Sequence, residues 1–339
     1  ESSVVSVSDK NQEVGNVTLG DGGTLSFTSE GSINTDKLAT NGNSDILVDV
    51  SSIGQSGSGS ANLLDASEGT QHQLITAQDS SGVDLGDLTL KDSKGEAIGK
   101  GTVISVEQDN VKVAEGTYNY GLKNDKGLSV DYSLTQLNII EDKTLSLESK
   151  TSTSNTMGTQ LVGKGNLTIA SGSNGFILNN ENNSYTGTTT ITEGTVTAGS
   201  NNAFGQTSSL NINAGTGVDF GDKTQTVGRL VNNGTLSLDG GSLTLKNGGS
   251  STVKDGLIGK GTITVAGGDF EVSNTNDDLS ATVNITEDAS STLVNTGNLG
   301  SGAVNLDGAL NLNGNNSVNN AIAGSGSINT GSGVNATLT

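Results

Sequence analysis

A three-residue pattern recurs along the whole chain: an apolar residue, a small polar residue, an apolar residue. It reads Val17-Thr18-Leu19, Leu25-Ser26-Phe27, Leu88-Thr89-Leu90, Leu145-Ser146-Leu147 and Leu167-Thr168-Ile169. It continues as Leu210-Asn211-Ile212, Leu236-Ser237-Leu238, Leu243-Thr244-Leu245, Ile263-Thr264-Val265, Val304-Asn305-Leu306 and Leu310-Asn311-Leu312. Alternation of period two predicts a strand with one face buried. The strands it predicts are very short. Gly, Asn, Asp and Ser flank them and supply turn chemistry and positive φ. No stretch keeps a helical period over three turns.

A longer repeat lies over this pattern. "IGKGTV" at 98–103 returns as "VGKGNL" at 162–167, "IGKGTI" at 258–263 and "AGSGSI" at 323–328. The intervals between the first glycines, Gly99, Gly163, Gly259 and Gly324, are 64, 96 and 65 residues. They fit whole numbers of coils of about 20–24 residues, which is the mark of a solenoid. One coil buries too few aliphatics to offset the entropy of ordering its backbone, so neighbouring coils must share burial and ladder hydrogen bonds. The predicted fold is all-β, a right-handed parallel β-helix running as one unit over 1–339. At about 21 residues per coil it makes roughly 16 coils.

Composition agrees. Only 31% of the residues are hydrophobic and 3% aromatic, too lean for a thick core, while 50 are Gly. Pro is absent; it cannot donate to a ladder and is excluded from central strands. Cys is absent too, which suits a chain that crosses an oxidising compartment unfolded. The formal net charge is −20, so nucleic acid is excluded as a partner. The charge is uneven: residues 1–160 carry 23 acids and 10 bases, 161–339 carry 13 and 6. No apolar run approaches the ~20 residues of a membrane span, so no membrane insertion of this segment is expected. With no signal peptide at Glu1, the chain reads as a mature or excised piece of something longer.

The run "NNSYTGTTTI" from Asn182, followed by "EGTV" at Glu193 and closed by "NAFG" at 202–205, resembles the autotransporter-associated β-strand repeat. The "DKTQTVGRL" that ends at Leu230 resembles its usual continuation, which gives a repeat at 182–230. The stretch from Leu63 to Tyr132, with "LLDASEGTQHQLITAQDSSG" and "VAEGTYNYGLKNDKGLSVDYSLTQL", is similar to the pertactin-like passenger module, with longer excursions from the coil. The two resemblances imply the passenger of a type V secreted autotransporter. Such a passenger sits on the surface of a Gram-negative outer membrane, tethered through a β-barrel not present here. Many of the proteins it resembles are adhesins in aggregation, biofilm formation or virulence; some are enzymes.

Candidate chemistry is sparse. "IGQSGSGS" at Ile53–Ser60 resembles the serine motif of autotransporter proteases, but Gln55 stands where Asp is expected. The single His, His72, follows Ser56, opposite to the chymotrypsin-like order; it is expected at the surface or in a turn. "IGKGT" at Ile98 and Ile258 is no phosphate loop, because Gly rather than Ser or Thr follows the Lys. Asp277-Asp278, Glu287-Asp288 and the pair Asp84 and Asp87 are either solvated turns or cation or lyase ligands. The single Arg, Arg229, lies in the repeat's tail. Tyr118, Tyr120 and Tyr132 either pack in a core or contact a sugar or protein. The candidate contact residues are therefore Tyr118, Tyr120, Asp277 and Asp278. No catalytic residue, cofactor or metal is assigned.

The outward polar residue of each triplet forms ladders at ~4.8 Å spacing, the separation of neighbouring strands. Two identical rods could align antiparallel along such ladders, repeating every contact by symmetry. The expected function is a non-enzymatic surface adhesin whose partner is itself, between cells. The alternatives are binding of a host matrix protein or glycan, a stalk or spacer, and a polysaccharide lyase.

Overall fold

The computed structural model describes residues 3–28, 30–50 and 61–339. The chain is nearly all β, with parallel strands stacked into a solenoid of about 15 turns, close to the roughly 16 expected. Its contacts divide it into two units, Glu1–Leu137 and Asn138–Thr339. The 63–132 segment lies in the first and the 182–230 repeat in the second.

In the first unit, Val4–Val7, Gly23–Phe27, Ser44–Val48 and Leu88–Asp92 form a four-stranded parallel sheet. Leu25, Ile46 and Leu90 stack in register and are buried, as the triplets predict. A second sheet starts in parallel with Gln12–Gly20, Ile33–Asn41 and Thr70–Gly82. It then departs from the predicted parallel order. Gly127–Ile139 joins Thr70–Gly82 antiparallel, followed by Val111–Asn124 and Lys100–Gln108, the last two also antiparallel. The physical reason is local. Asp109 and Asn110 both adopt positive φ between Gln108 and Val111, and such a two-residue turn closes a hairpin rather than a coil. The α-helix Ala61–Glu68 precedes Thr70–Gly82 and buries Leu63, Leu64 and Ala66.

The second unit is the regular one. A ten-stranded parallel sheet runs from Thr144–Glu148 to Ser327–Thr330, and two six-stranded parallel sheets accompany it. Inward positions form continuous columns. On one six-stranded sheet, Leu243, Ile263, Val283 and Val304 are in register and buried, as are Leu245, Val265, Ile285 and Leu306.

The repeat at 182–230 owes its residue choices to the interior. The Asn183 side chain accepts from the Leu161 N–H at 2.7 Å and donates to the Ala203 carbonyl at 2.7 Å, so it ties three coils together. The Tyr185 hydroxyl is 2.7 Å from Thr189 Oγ1, which donates to Thr207 Oγ1 at 2.9 Å. Thr207 in turn donates to the Gly187 carbonyl at 2.7 Å. All four side chains are buried, and each satisfies a polar group that the next coil covers. Phe204 packs on Phe220 of the following coil, ring centroids 6.0 Å apart.

Two of the three Gly-Lys-Gly motifs, at 163–165 and 259–261, bend the chain between strands, whereas Lys100 and Gly101 open the strand Lys100–Gln108. Gly261 has φ 139°, and a Cβ there would lie 2.2 Å from the Gly241 carbonyl oxygen of the previous coil. A strand, Thr262–Val265, follows it rather than a helix. The side chains of Lys100, Lys164 and Lys260 are exposed.

Candidate functional site

Among the described residues, the six-stranded sheet that begins at Thr224–Val227 differs from the other sheets of four or more strands, since none of its strands carries an ionisable residue. Its strands continue as Ser242–Leu245, Thr262–Val265, Thr282–Ile285, Val304–Leu306 and Ile322–Ala323. Apolar residues at alternate positions lock each strand onto the core, which leaves the residues between them outside. Two outward files result. One aligns Thr224, Ser242, Thr262 and Thr282; the other aligns Thr226, Thr244, Thr264, Asn284 and Asn305.

None of these outward residues is ionisable. The outward file of the ten-stranded sheet, by contrast, includes Glu271 aligned with Thr292, and that of the other six-stranded sheet includes Asp219 aligned with Ser237. In a chain of net charge −20, an uncharged array is a distinct surface. Asn305 Nδ2 donates to Asn284 Oδ1 at 2.7 Å, and Asn284 Nδ2 donates to Thr264 Oγ1 at 3.2 Å, which orders one end of the file. The hydroxyls of Thr226, Thr244, Thr262 and Thr282 make no hydrogen bond among the described residues and stand half-exposed. The array therefore offers free donors and acceptors at a fixed spacing of ~4.8 Å between coils.

The residues singled out from the sequence fall elsewhere. Tyr118 is fully buried and Tyr120 is 5% exposed, with ring centroids 5.5 Å apart; Tyr132 stacks on Tyr120 at 6.4 Å. Burial pushes the Tyr118 and Tyr120 phenols well above the ordinary tyrosine value. Of the two readings of this cluster, core packing describes Tyr118, whose ring has no surface to offer. Asp277 and Asp278 are exposed in the turn after Gly268–Val272. The Asp277 N–H donates to Asp255 Oδ1 at 3.0 Å, and the Asp278 carbonyl accepts from the Gly259 N–H at 2.9 Å. Asp84 accepts from the Gly86 N–H at 2.9 Å and caps the single-turn helix Leu85–Asp87. Among the described residues, no three His, Cys, Asp or Glu side chains converge as metal ligands would.

His72 corrects an expectation. It sits neither in a turn nor fully at the surface, but half-buried inside Thr70–Gly82, opposite Val130. Burial holds its imidazole below the ordinary histidine value. The protease-like motif at 53–60 lies outside the described residues.

The uncharged array was only partly visible in the sequence. Triplets predicted outward Thr, Ser and Asn everywhere, but only strand register shows which of them share a sheet free of carboxylates.

Two Escherichia coli K12 proteins are similar to this chain. The uncharacterized protein YuaQ is 31% identical over 294 residues, covering 81% of the chain and 21% of its own length. The uncharacterized lipoprotein YdeK is 32% identical over 264 residues, covering 76% of the chain and 20% of its own length. The chain thus spans about a fifth of the length of the curated relatives it matches. No family model matches the chain. No solved structure matches it either.

Proposed function

We propose that this chain is part of an autotransporter-type passenger on the surface of a Gram-negative cell. In this reading it is a non-enzymatic adhesin that binds copies of itself. The observation that carries the reading is the uncharged double file of Thr, Ser and Asn on a strongly acidic solenoid. Two like-charged molecules approach at least cost where neither presents a carboxylate. Antiparallel alignment of two such files about a two-fold axis lets the free hydroxyls of one copy meet those of the other, each contact made twice.

Size sets the strength. Five strands at ~4.8 Å spacing and about two outward residues per strand give a contact of roughly 300 Å² per partner, well under the ~800 Å² of a stable complex. A single contact is therefore weak. Many copies on facing cells convert it into adhesion through effective concentration. The envelope location draws support from the lipoprotein relative and from the resemblances at 63–132 and 182–230. The absence of an enzymatic role draws support from the sparse chemistry: the single His is held in a strand ladder, and the single Arg is exposed in the repeat's tail.

Display on beads tests the reading. Beads carrying the chain should clump, and beads carrying a chain with Thr244→Glu and Thr264→Glu should stay dispersed. Equal clumping by both would remove this face from the account, and dispersal of both would remove self-association.

A further inference from the structure

We propose that the first unit carries a second binding site, a cleft for a neutral carbohydrate, bounded by Thr70–Gly82, Gly127–Ile139 and Val111–Asn124. The cleft has a volume of about 590 Å³, within the usual range for small-molecule sites. It is independent of the face used for self-association, which belongs to the second unit.

Three features of the lining select the ligand. The first is aromatic: Tyr120 and Tyr132 border the cleft, their rings stacked 6.4 Å apart at 29°. Tyr120 is covered by Tyr118 and Tyr132, so the half-buried Tyr132 is the ring that offers an apolar face to the C–H side of a pyranose. The second is charge balance. Lys123 and Asp131 both border the cleft and pair with each other, Nζ to Oδ2 at 3.6 Å. The cleft so presents no net charge and favours neither an anionic sugar nor a cationic peptide. The third is a set of uncommitted polar groups. Asn119 Oδ1 accepts from the Gly101 N–H at 3.0 Å, which leaves the amide NH₂ free to donate. The Ser133 hydroxyl at the cleft makes no hydrogen bond among the described residues.

Tyr120 is the observation that points to a ligand rather than to a mere crease. The residue is 5% exposed, it lines the cleft, and its buried hydroxyl has no hydrogen-bond partner among the described residues. A buried hydroxyl without a partner is costly, and native structures seldom tolerate one without a reason. A sugar hydroxyl seated over Tyr132 would supply that partner. Sugars present donors and acceptors around an apolar ring, which is the combination this lining complements.

The test is ligand-detected NMR and calorimetry on the full chain. The panel is glucose, galactose, mannose, N-acetylglucosamine and their disaccharides, with sialic acid and a sulfated disaccharide as anionic controls. At least one neutral sugar should bind in the millimolar range and the controls should not. Tyr120→Phe should weaken that binding about tenfold, the loss of a hydrogen bond to a desolvated site. The same variant should melt no lower than the parent, because it removes an unpartnered buried hydroxyl, so lost binding could not be put down to misfolding. Tyr132→Ala should abolish binding, and bead clumping by Tyr120→Phe should be unchanged. The proposal is overturned if no neutral sugar binds at 20 mM or if only the anionic controls bind. It is also overturned if Tyr120→Phe binds as tightly as the parent.

Discussion

Asn276 shows how much the solenoid depends on buried amides that a hydrophobicity pattern passes over, and Asn276→Leu measures it. The side chain is fully buried. Its Oδ1 accepts from the Leu257 N–H at 3.0 Å and from Asn274 Nδ2 at 2.7 Å; its Nδ2 donates to the Asn298 carbonyl at 2.9 Å. It therefore joins the coils before and after its own. Leucine shares the branched shape but is larger, so no cavity opens and the extra volume crowds the site at about 1–3 kcal/mol. The substitution strands the buried Leu257 N–H, at about 1–3 kcal/mol, and leaves Asn274 Nδ2 only a 3.4 Å bond to the Thr275 carbonyl. Added apolar burial returns roughly 1–2 kcal/mol. The net loss is about 2–4 kcal/mol. With a urea slope of about 2–3 kcal/mol/M for a unit of this size, the unfolding midpoint followed by far-UV circular dichroism should fall by roughly 1 M. Asn305→Leu, at an exposed site on the uncharged sheet, should shift stability by no more than about 0.5 kcal/mol. If Asn276→Leu matched the parent, or exceeded it, the inter-coil amides would not be what holds these turns together.

Gly249 has φ 137°, and a Cβ there would lie 1.9 Å from the Leu230 carbonyl oxygen; Gly249→Ala should cost more than about 3 kcal/mol in the same urea titration, since the backbone of one coil must move off the other. Tyr185→Phe removes the 2.7 Å contact with Thr189 and should lower stability by about 1 kcal/mol. His72 is held below its ordinary value of 6.5 by burial, so the unfolded chain binds a proton that the folded chain refuses. The stability this histidine contributes is fully present above pH 6.5 and is lost as the pH falls below it. Thermal melts at pH 7.5 and pH 5 should therefore show a larger drop for the parent than for His72→Gln.

Most of the second unit was legible. Period-two triplets placed Leu243, Ile263 and Val304 inside and Thr244, Thr264 and Asn305 outside, because a strand buried on one face permits no other alternation. The glycine motifs at 163–165 and 259–261 marked bends for the steric reason seen at Gly261, but the one at 99–101 opens a strand with nothing crowding either glycine. Two things were hidden. Buried polar residues such as Asn183, Thr189 and Asn276 have the composition of surface loops, and only their partners in adjacent coils reveal that they face inward. The antiparallel section after Gly82 was also hidden, because strand alternation is identical for parallel and antiparallel pairing. Direction depends on turns such as Asp109-Asn110, whose left-handed geometry the pattern of apolar residues does not encode. His72 was misplaced for this reason: a polar residue in a short stretch reads as a turn until the strand around it is seen. The uncharged array needed register as well, since outward Thr and Ser occur on every sheet and only alignment shows which sheet excludes carboxylates.

The most direct test of self-association is sedimentation velocity on the purified chain, over a concentration series at low and at physiological salt. A reversible shift from monomer to dimer is predicted, stronger at the higher salt because screening weakens repulsion between two molecules of charge −20. The shift should be lost with Thr244→Glu and Thr264→Glu together. A monomer at every concentration and salt, or a dimer that weakens as salt rises, would contradict association through the uncharged sheet.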